Sequence, residues 1–556
     1  MIFIMLDLTK HSIKFAIYNI SLVVLFFMSC VFAEASGRTV HFPKDKSIGM
    51  LLILDMNVVN KSMYEDWQPL CEAVGEVKVP QGKALRLDLY TNAGNDLSPL
   101  SKLEPDDLVM LYCRGVEILD EQLKYISNLT GLQTIDLSET HILGTGLKYF
   151  LKLKSLRNLD LSGTDVGDNE LAYLTGLPSL EYLNLYSTPT NDAGMVHIAK
   201  IKSLKELMLS PGINDEGLSN LKGLSHLQRL SAGNQGVTNE GLAYLVSLKG
   251  LEYLNLDNAQ INDEGLVYLK NMTKLKMISL NGTGVTEYGF VHLESLRNLE
   301  KLQVLFGATD KGIMYLSMLP SLKNIKIDGR SVTDKGIELL SKMKSLERLY
   351  IDNTEKMDEI VAKTANLARV NQLTIGTGLT DEGLLHLQKM KSLQEITIGP
   401  SRITGKGIES LAALPLLRIL TLEQVRMSSQ EDWVSLGKLS SLEELYLKHT
   451  RSEVNDVCIA HLTGLQNLKS LYISAIINKD GQLTYSLDIT NEGLKHLTKL
   501  KSLESLYLRH AKITDDGLKN LEGLSSLNWL VLQGCKVTEE GLMELKKKLP
   551  ALRWLL

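Results

Sequence analysis

Residues 503–524 read LESLYLRHAKITDDGLKNLEGL and contain both halves of the unit from which most of this chain is built. In the first half, Leu503, Leu506 and Leu508 mark a short run with the alternation of a strand that has one buried face. In the second half, leucines follow Gly517 at one, four and seven positions, which is helical spacing. The stretch therefore predicts a short strand, a turn and a short helix.

The same pattern recurs at a step that is usually 23 or 24 residues, as from Leu204 to Leu227 and on to Leu251. A lone strand or helix of this length cannot bury its leucines, but stacked copies form one continuous core. The pattern predicts about twenty turns between Ala84 and Leu556. The strand halves begin at Ala84, Leu108, Leu132, Leu156, Leu180, Leu204, Leu227, Leu251, Leu275, Leu299, Leu322, Leu346, Val370, Leu393, Leu417, Leu442, Leu468, Leu503 and Leu527, with a partial copy at Leu552.

The predicted fold is an α/β solenoid, a horseshoe or arc with a parallel sheet on the concave face and short helices on the convex face. The sheet lines the concave side because helices are bulkier than strands. Residues such as Thr514 and Asn262 stand where a side chain caps the first N–H groups of a helix. The acids that follow them suit the positive end of that helix.

The consensus L-x-x-L-x-L-x-x-T-x-[IV]-T-D-x-G-L-x-x-L resembles the leucine-rich-repeat family. It is similar to the cysteine-containing subclass found in F-box partner-recognition proteins and in many exported bacterial proteins. The resemblance implies a concave surface that recognises proteins. It implies no fixed ligand and no shared catalytic residue.

Residues 1–35 have the layout of a secretory signal peptide. Lys10 and Lys14 precede an apolar stretch over residues 15–33, and small residues at Ala33 and Ala35 suit a signal peptidase. A lipid on Cys30 and an uncleaved membrane anchor are the less favoured alternatives. We therefore expect an exported protein, periplasmic, in the cell envelope or secreted, that meets a membrane only through this segment if it is uncleaved or lipidated.

Residues 36–83 lie outside the repeat and are expected to cap the open N-terminal end of a solenoid formed by residues 84–556. Within the cap we expect a strand at residues 50–54, a helix from Trp67 to Val74 and a strand at residues 76–79. The largest break in period falls between Leu468 and Leu503 and predicts an inserted loop near residues 475–487. Such a loop either contributes to binding or is a tolerated insertion.

Catalytic chemistry is not indicated, and we expect neither a metal nor a cofactor. The sequence holds no HExxH, GxxxxGK[ST], GxSxG or CxxC motif, and Gly376-Thr377-Gly378 is the turn of a repeat. Histidines recur three residues after the repeat glycine, a slot that tyrosine fills in other turns, so they mark a helix position rather than a metal site. The members of this slot are His197, His292, His386 and His496, together with His461, which stands three residues after Cys458 in the glycine position. The net charge of −5 gives no basic footprint for nucleic acid.

The predicted binding surface uses the outward positions of L-x-x-L-x-L near the C-terminus. Three tyrosines hold one outward slot in successive turns, and tyrosine, tryptophan and arginine dominate binding hot spots. The predicted surface consists of Tyr446, Lys448, His449, Tyr472, Tyr507, Arg509, His510 and Trp529. A weaker second patch consists of Tyr182, Asn184, Tyr186, Tyr253, Asn255 and Asp257.

The function predicted from these residues is a non-catalytic scaffold that binds a protein partner. Binding of a carbohydrate or a cell-envelope glycan is an alternative, because stacked aromatic rings with nearby polar groups also suit sugars. An intracellular F-box-type adaptor is disfavoured by the signal segment. An enzyme is the least favoured class.

Overall fold

A computed structural model describes residues 37–57, 67–94, 96–450, 453–475 and 487–555 of this chain. The predicted signal segment lies outside these residues. Most of the predicted insertion, residues 476–486, also lies outside them. The chain divides into two compact units, residues 1–299 and 300–556. None of the helices in the described part of the chain has the length and apolar character needed to cross a membrane.

The first unit confirms the predicted stack of parallel strands. Strands β5 to β13 lie side by side in chain order and pair in parallel, one turn after another. The strands of this unit are β1 Arg38–His41, β2 Gly49–Asp55, β3 Gln68–Glu72, β4 Glu76–Val79, β5 Lys83–Leu89, β6 Met110–Tyr112, β7 Thr134–Asp136, β8 Asn158–Asp160, β9 Tyr182–Asn184, β10 Glu206–Met208, β11 Arg229–Ser231, β12 Tyr253–Asn255 and β13 Met277–Ser279.

The second unit repeats this arrangement. Its main sheet runs in the order β15-β16-β17-β18-β19-β20-β22-β24-β26-β27, and a small second sheet has the order β21-β23-β25. The strands are β14 Lys301–Gln303, β15 Asn324–Ile327, β16 Arg348–Ile351, β17 Gln372–Ile375, β18 Glu395–Ile398, β19 Ile419–Glu423, β20 Glu444–Thr450, β21 Val454–Asn455, β22 Ser470–Ala475, β23 Leu487–Thr490, β24 Ser505–Leu508, β25 Ala511–Lys512, β26 Trp529–Val531 and β27 Arg553–Leu555.

Short helices follow the strands, as the spacing after the glycine predicts. Several in the first unit are 3-10 rather than α. The α-helices span Met195–Ile198, Asp215–Ser219, Asn239–Leu245, Asp310–Leu316, Asp334–Ser341, Met357–Thr364, Asp381–Leu387, Gly405–Ser410, Gln430–Gly437, Asp456–His461, Asn491–Leu497, Asp515–Leu518 and Glu539–Lys548. The 3-10 helices span Thr91–Ala93, Ser98–Lys102, Asp120–Ile126, Thr145–Lys152, Glu170–Gly176, Asp192–Gly194, Asn220–Gly223, Asp263–Leu269, Glu287–Leu293, Leu411–Ala413, Leu462–Gly464 and Lys519–Leu521.

The core consists of the repeat leucines. The second leucine of each strand half points inward and stacks on its equivalents, and Leu111, Ile135 and Leu159 form one such row with no exposed surface. Cys113 replaces a leucine of the core and is likewise fully buried. Fully burying a leucine contributes about 1.5–3 kcal/mol, so repetition of this row is what makes the thin stack stable.

Aspartates connect neighbouring turns through the residue that precedes each helix. The two oxygens of Asp215 accept the Thr238 N–H at 2.8 Å and the Thr238 hydroxyl at 2.6 Å. The same connection recurs in the pairs Asp263–Thr286, Asp310–Thr333, Asp358–Thr380, Asp381–Thr404, Asp456–Thr490 and Asp515–Thr538. The repeat acids therefore hold successive turns together, a role beyond the predicted one at helix starts.

The predicted helix caps are partly confirmed. The side chain of Asn262 accepts the N–H of Glu264 at 3.1 Å, as an N-cap does. Thr514 makes no such cap bond. Its hydroxyl accepts a hydrogen bond from Asn491 Nδ2 of the preceding turn at 2.9 Å, so it bridges turns instead.

The segment predicted to cap the N-terminal end contains antiparallel strands. The strands expected at residues 50–54 and 76–79 are present as β2 and β4, and β2 pairs antiparallel with β5 and with β3. The helix expected from Trp67 to Val74 is wrong, because β3 occupies Gln68–Glu72. Pro69 is compatible with this strand because β3 is the outermost strand of the sheet.

Candidate functional site

Three tyrosines form a stacked row on the outward face of the second unit, and we call Tyr446, Tyr472 and Tyr507 the tyrosine ladder. They lie on β20, β22 and β24, and the strand register pairs Tyr446 with Tyr472 and Tyr472 with Tyr507. Ring centroids are 6.2 Å apart in the first pair and 5.5 Å in the second, both tilted by 41°. These separations lie within the range in which aromatic pairs attract.

Strand alternation explains why the ladder faces outward. Leu445 and Leu447 flank Tyr446 and are almost fully buried, so the side chain between them points to the opposite face of the sheet. The ladder residues themselves are half-buried. A rigid aromatic row that remains partly open to solvent has the composition of a binding surface, since tyrosine offers contact area at low entropic cost.

The hydroxyls of Tyr446 and Tyr507 lie in surroundings that favour the protonated phenol. The Tyr446 hydroxyl donates to Glu444 Oε2 at 2.5 Å. Burial raises the pKa of Tyr446 well above its usual value, and the neighbouring Glu444 adds to this shift. Burial also raises the pKa of Tyr507. Both phenols therefore stay protonated at physiological pH.

Two cations flank the ladder on its C-terminal side. Lys448 Nζ lies 5.5 Å from the centre of the Tyr446 ring, in cation–π range. Arg509 follows β24 directly, and its Nε is buried without a hydrogen-bond partner. In the described part of the chain neither cation forms an ion pair.

The two predicted histidines have a backbone role that the sequence did not reveal. His449 and His510 adopt left-handed conformations, with φ of 52° and 60°. Their N–H groups donate to the next turn, to Ser474 Oγ at 3.1 Å and to the Gln533 carbonyl at 2.8 Å. Equivalent positions elsewhere, all with positive φ, are Gly115, Glu139, Gly163, Ser187, Asn258, Gly282, Gln424 and Gly534. This turn conformation gives both positions a backbone role that recurs along the repeat.

Trp529 lies one turn beyond the ladder but not in its slot. The register pairs Trp529 with Ser505, and Val531 occupies the position next to Tyr507. The tryptophan is therefore displaced by two residues towards the N-terminal end of the strands. Its indole Nε1 is buried and makes no hydrogen bond within the described residues.

Sequence reasoning did not single out the residues that extend the surface sideways. Ser470 and Ser505 form the outward row next to the ladder, in register with Glu444 and Trp529. The ladder row itself continues across β19, β18 and β17 as Thr421, Thr397 and Thr374. These positions share the outward slots of L-x-x-L-x-L, so the repeat phase was the signal that identified them.

The second predicted patch is not a continuous aromatic row. Tyr182 and Tyr253 occupy one row, but Glu206 and Arg229 lie between them and form an ion pair at 3.0 Å. Arg229 covers the Tyr253 ring at 3.9 Å.

Within the same patch, the asparagine side chains accept hydrogen bonds from backbone N–H groups just beyond the end of their own strands. Asn184 Oδ1 accepts the Tyr186 N–H, and Asn255 Oδ1 accepts the Asp257 N–H. Tyr186 is the exception, with 56% of its surface exposed. Internal bonding leaves this patch fewer free groups than the ladder has.

Metal-ligating side chains are not gathered in the described ranges, where no group of three His, Cys, Asp or Glu residues is arranged to hold a metal ion. The helix-slot histidines lie on their helices, partly exposed, in agreement with the structural position that the repeat assigns to them. Burial raises the pKa of the Cys113, Cys458 and Cys535 thiols, which keeps these groups in the less nucleophilic protonated form.

Comparison with known proteins returned repeat proteins. A leucine-rich-repeat protein of Leptospira interrogans is 18% identical, covers 78% of this chain and 98% of its own, and superposes with a TM-score of 0.42. An internalin of Listeria monocytogenes is 18% identical, covers 78% and 88%, and has a TM-score of 0.27. No curated protein matches this chain.

The family models agree with the repeat seen in the strands and turns. Residues 144–335 match the model described as a leucine-rich repeat region, and residues 499–521 match a leucine-rich repeat. Both matches lie within the predicted solenoid of residues 84–556, where the L-x-x-L-x-L pattern forms parallel strands with buried leucines. The matched segments, residues 144–335 and 499–521, carry leucine-rich repeats, and these matches support the leucine-rich-repeat family.

Proposed function

We propose that this chain is a non-catalytic scaffold that binds a protein partner through the tyrosine ladder. The observation that carries the proposal is the ladder itself, a half-buried row of three rings at 5.5–6.2 Å spacing with unpaired donors beside it. Lys448, Arg509 and Trp529 complete the proposed contact surface. His449 and His510 belong to its rim through their turns.

The second unit contains a matched reference for the ladder. Tyr350 lies in the same row and is also half-buried. Three strands that carry threonine in this row separate it from Tyr446. Lys326 Nζ lies 5.1 Å from the Tyr350 ring, much as Lys448 lies near Tyr446. Its neighbours in the row are Lys326 and Thr374, so Tyr350 serves as the reference for a half-buried tyrosine outside the ladder.

The test is a photocrosslinking amino acid placed at Ser470 in the full chain, expressed in its native cells, followed by mass spectrometry. We expect adducts with a defined protein, and we expect Tyr472→Ala with Tyr507→Ala to abolish them. Each lost hot-spot ring typically costs about 2 kcal/mol, so the pair weakens binding by roughly 1,000-fold if the two costs add. Tyr350→Ala is expected to leave the adducts unchanged.

Unchanged adducts in the double variant would show that the ladder is not the contact surface. A glycan is the second candidate, because the serine and threonine hydroxyls beside the rings suit sugar recognition. Tyrosine-dependent binding on a glycan array, without protein adducts, would favour that candidate instead. The F-box-type adaptor and the enzyme stay the less favoured classes.

We also propose that the protein acts after export, in the periplasm, the cell envelope or outside the cell. The support is the charged, apolar and small-residue order of residues 1–35. Finding the full-length, unprocessed chain in the cytosol on fractionation would contradict export.

A further inference from the structure

The two edges of the tyrosine ladder differ in charge. On the N-terminal side of the strands, Glu443 pairs with both Arg418 at 3.8 Å and Lys469 at 2.9 Å, so these cations are neutralised within the chain. On the C-terminal side, Lys448 and Arg509 follow the third apolar residue of their strands, and no ion pair joins either of them to the described residues. We call Lys448 and Arg509 the basic edge.

The strand register places Glu423 and Glu444 near Lys448, and neither forms an ion pair with the basic edge among the described residues. Glu423 is the strand partner of Lys448, yet no ion pair within 4.0 Å links the two. Glu444 lies on the other side of Tyr446 and accepts its hydroxyl. The polar neighbours between the two cations include Ser474, whose hydroxyl already accepts the His449 N–H. The basic edge therefore keeps its charge.

An unsatisfied donor at the basic edge points to the same chemistry. Arg509 Nε is a buried atom without a hydrogen-bond partner and can only donate. Trp529 Nε1 is also unpaired, but it lies on the N-terminal side of the ladder, away from the basic edge. A buried donor left unpaired is unfavourable, and an acceptor supplied by a partner would satisfy it. A partner that supplies carbonyl or carboxylate oxygens here gains more than one that supplies apolar groups alone.

We propose that the partner presents an acidic peptide segment, with its apolar side chains on the tyrosine ladder and its carboxylates at the basic edge. The inference rests on the proposed function and names the chemistry of the bound segment. A uniform polyanion fits less well, because Glu443, Glu444 and Glu504 stand on the opposite side of the ladder and would repel it. The whole chain is also acidic, with a net charge of −5.

The test is selection from a displayed library of random peptides on the full chain. Wild-type protein is expected to enrich peptides that combine Asp or Glu with aromatic or aliphatic residues. Lys448→Glu with Arg509→Glu is expected to weaken the selected peptides by about tenfold or more and, in a fresh selection, to enrich Lys and Arg. Lys326→Glu with Arg348→Glu is the matched control on the same face and is expected to leave both results unchanged.

The outcomes separate the inference from the function on which it rests. The inference is overturned, and the proposed surface left intact, if the selected peptides require Tyr472 and Tyr507 but are not enriched in acids. The same holds if the charge-reversing substitutions do not change their binding. Peptides that ignore the tyrosines overturn both. Lys448→Glu alone, which leaves the partly buried Arg509 in place, keeps the test decisive if the double variant folds poorly. Tighter binding of sulfated glycans or single-stranded RNA than of any peptide also overturns the inference.

Discussion

The repeat glycine is required by the aspartate of the preceding turn, not by its own backbone angles. Gly383 begins no left-handed turn, yet a β-carbon added there would lie 2.2 Å from Asp358 Oδ1 and 2.7 Å from Leu379 Cδ1. That carboxylate is held in place by the Thr380 N–H at 2.9 Å. The residues of the T-D-x-G motif therefore act together across turns. The threonine and the glycine of one turn contact the aspartate of the preceding turn.

We expect Gly383→Ala to destabilise the second unit. Alanine improves helix propensity by about 1 kcal/mol. Overpacking against the carboxylate costs about 1–3 kcal/mol, so the clash prevails. The lowered midpoint of thermal unfolding, followed by circular dichroism, measures the effect.

Gly523→Ala is the matched control, because the nearest atom to its β-carbon would be Lys501 Nζ at 3.6 Å. That variant is expected to unfold at the same temperature as the wild type or slightly higher. An equal or higher midpoint for Gly383→Ala would show that the aspartate moves aside easily and that the glycine has another purpose.

At the scale of the elements, strand register places like polar groups side by side. The register of β7 and β8 makes Asp136 and Asp160 neighbours on the outward face. Only 2% of Asp136 is exposed, and its Oδ1 accepts the Ser138 N–H and hydroxyl. Burial raises the pKa of Asp136 from 3.8 to about 6, and the charge of Asp160 adds to the shift.

This shift predicts that the first unit gains stability on mild acidification. Because the folded pKa is raised, the folded chain takes up a proton near pH 6 while the unfolded chain does so only near pH 4, so the contribution is present at low pH and is lost as pH rises through about 6. Asp136 contributes about 1 kcal/mol between pH 7 and pH 5. Asp136→Asn should remove that part of the pH dependence in chemical denaturation.

Asp165→Asn, at an exposed carboxylate of the same unit, serves as the control for the pH experiment. It is expected to keep the wild-type slope between pH 5 and pH 7. If Asp136→Asn shows the same slope as the wild type, the carboxyl of Asp136 titrates normally and its burial is relieved by solvent.

The N-terminal cap shows where element prediction from local pattern failed. Residues 67–74 have a composition that suits a helix, but β3 is held in the sheet by its pairing with β2, in which Leu51 meets Cys71. Pro69 argued against a helix interior at this point. β2, the strand that pairs with β3, ends at Asp55, and β3 begins only at Gln68. A short sequence window around residues 67–74 therefore does not contain the pairing strand.

At the scale of the whole molecule, each turn contacts mainly its neighbours, so stability is a sum of local terms. We expect Leu373→Ala, which empties a position 2% exposed in β17, to cost about 2–5 kcal/mol locally. Hydrogen–deuterium exchange should rise in β16, β17 and β18. It should stay unchanged in β24 and β26 of the same unit.

Leu385→Ala, at a leucine with 49% of its surface exposed in the helix that follows β17, is the control and should leave exchange unchanged throughout. A uniform rise across the second unit after Leu373→Ala would mean that the unit opens as a single cooperative body. In that case distant turns would share their stability with the ladder.

The sequence by itself determined the repeat, the strand and helix halves, the inward leucines and the outward slots. All of these follow from periods of two and 3.6 residues that recur in every turn. The tyrosine ladder could be predicted for the same reason, because equal positions in successive copies become neighbours in a parallel stack.

Only the tertiary structure decided what depends on contacts between turns or on pairing beyond the repeat. It showed that Asp358 requires Gly383, that Trp529 pairs with Ser505 rather than joining the ladder, and that β3 replaces the expected helix. It also showed that Arg418 forms an ion pair with Glu443, whereas Lys448 and Arg509 form none among the described residues. The physical reason is that the partners of these side chains lie about 23 residues or more away in the chain. The local sequence does not specify the distances between such side chains.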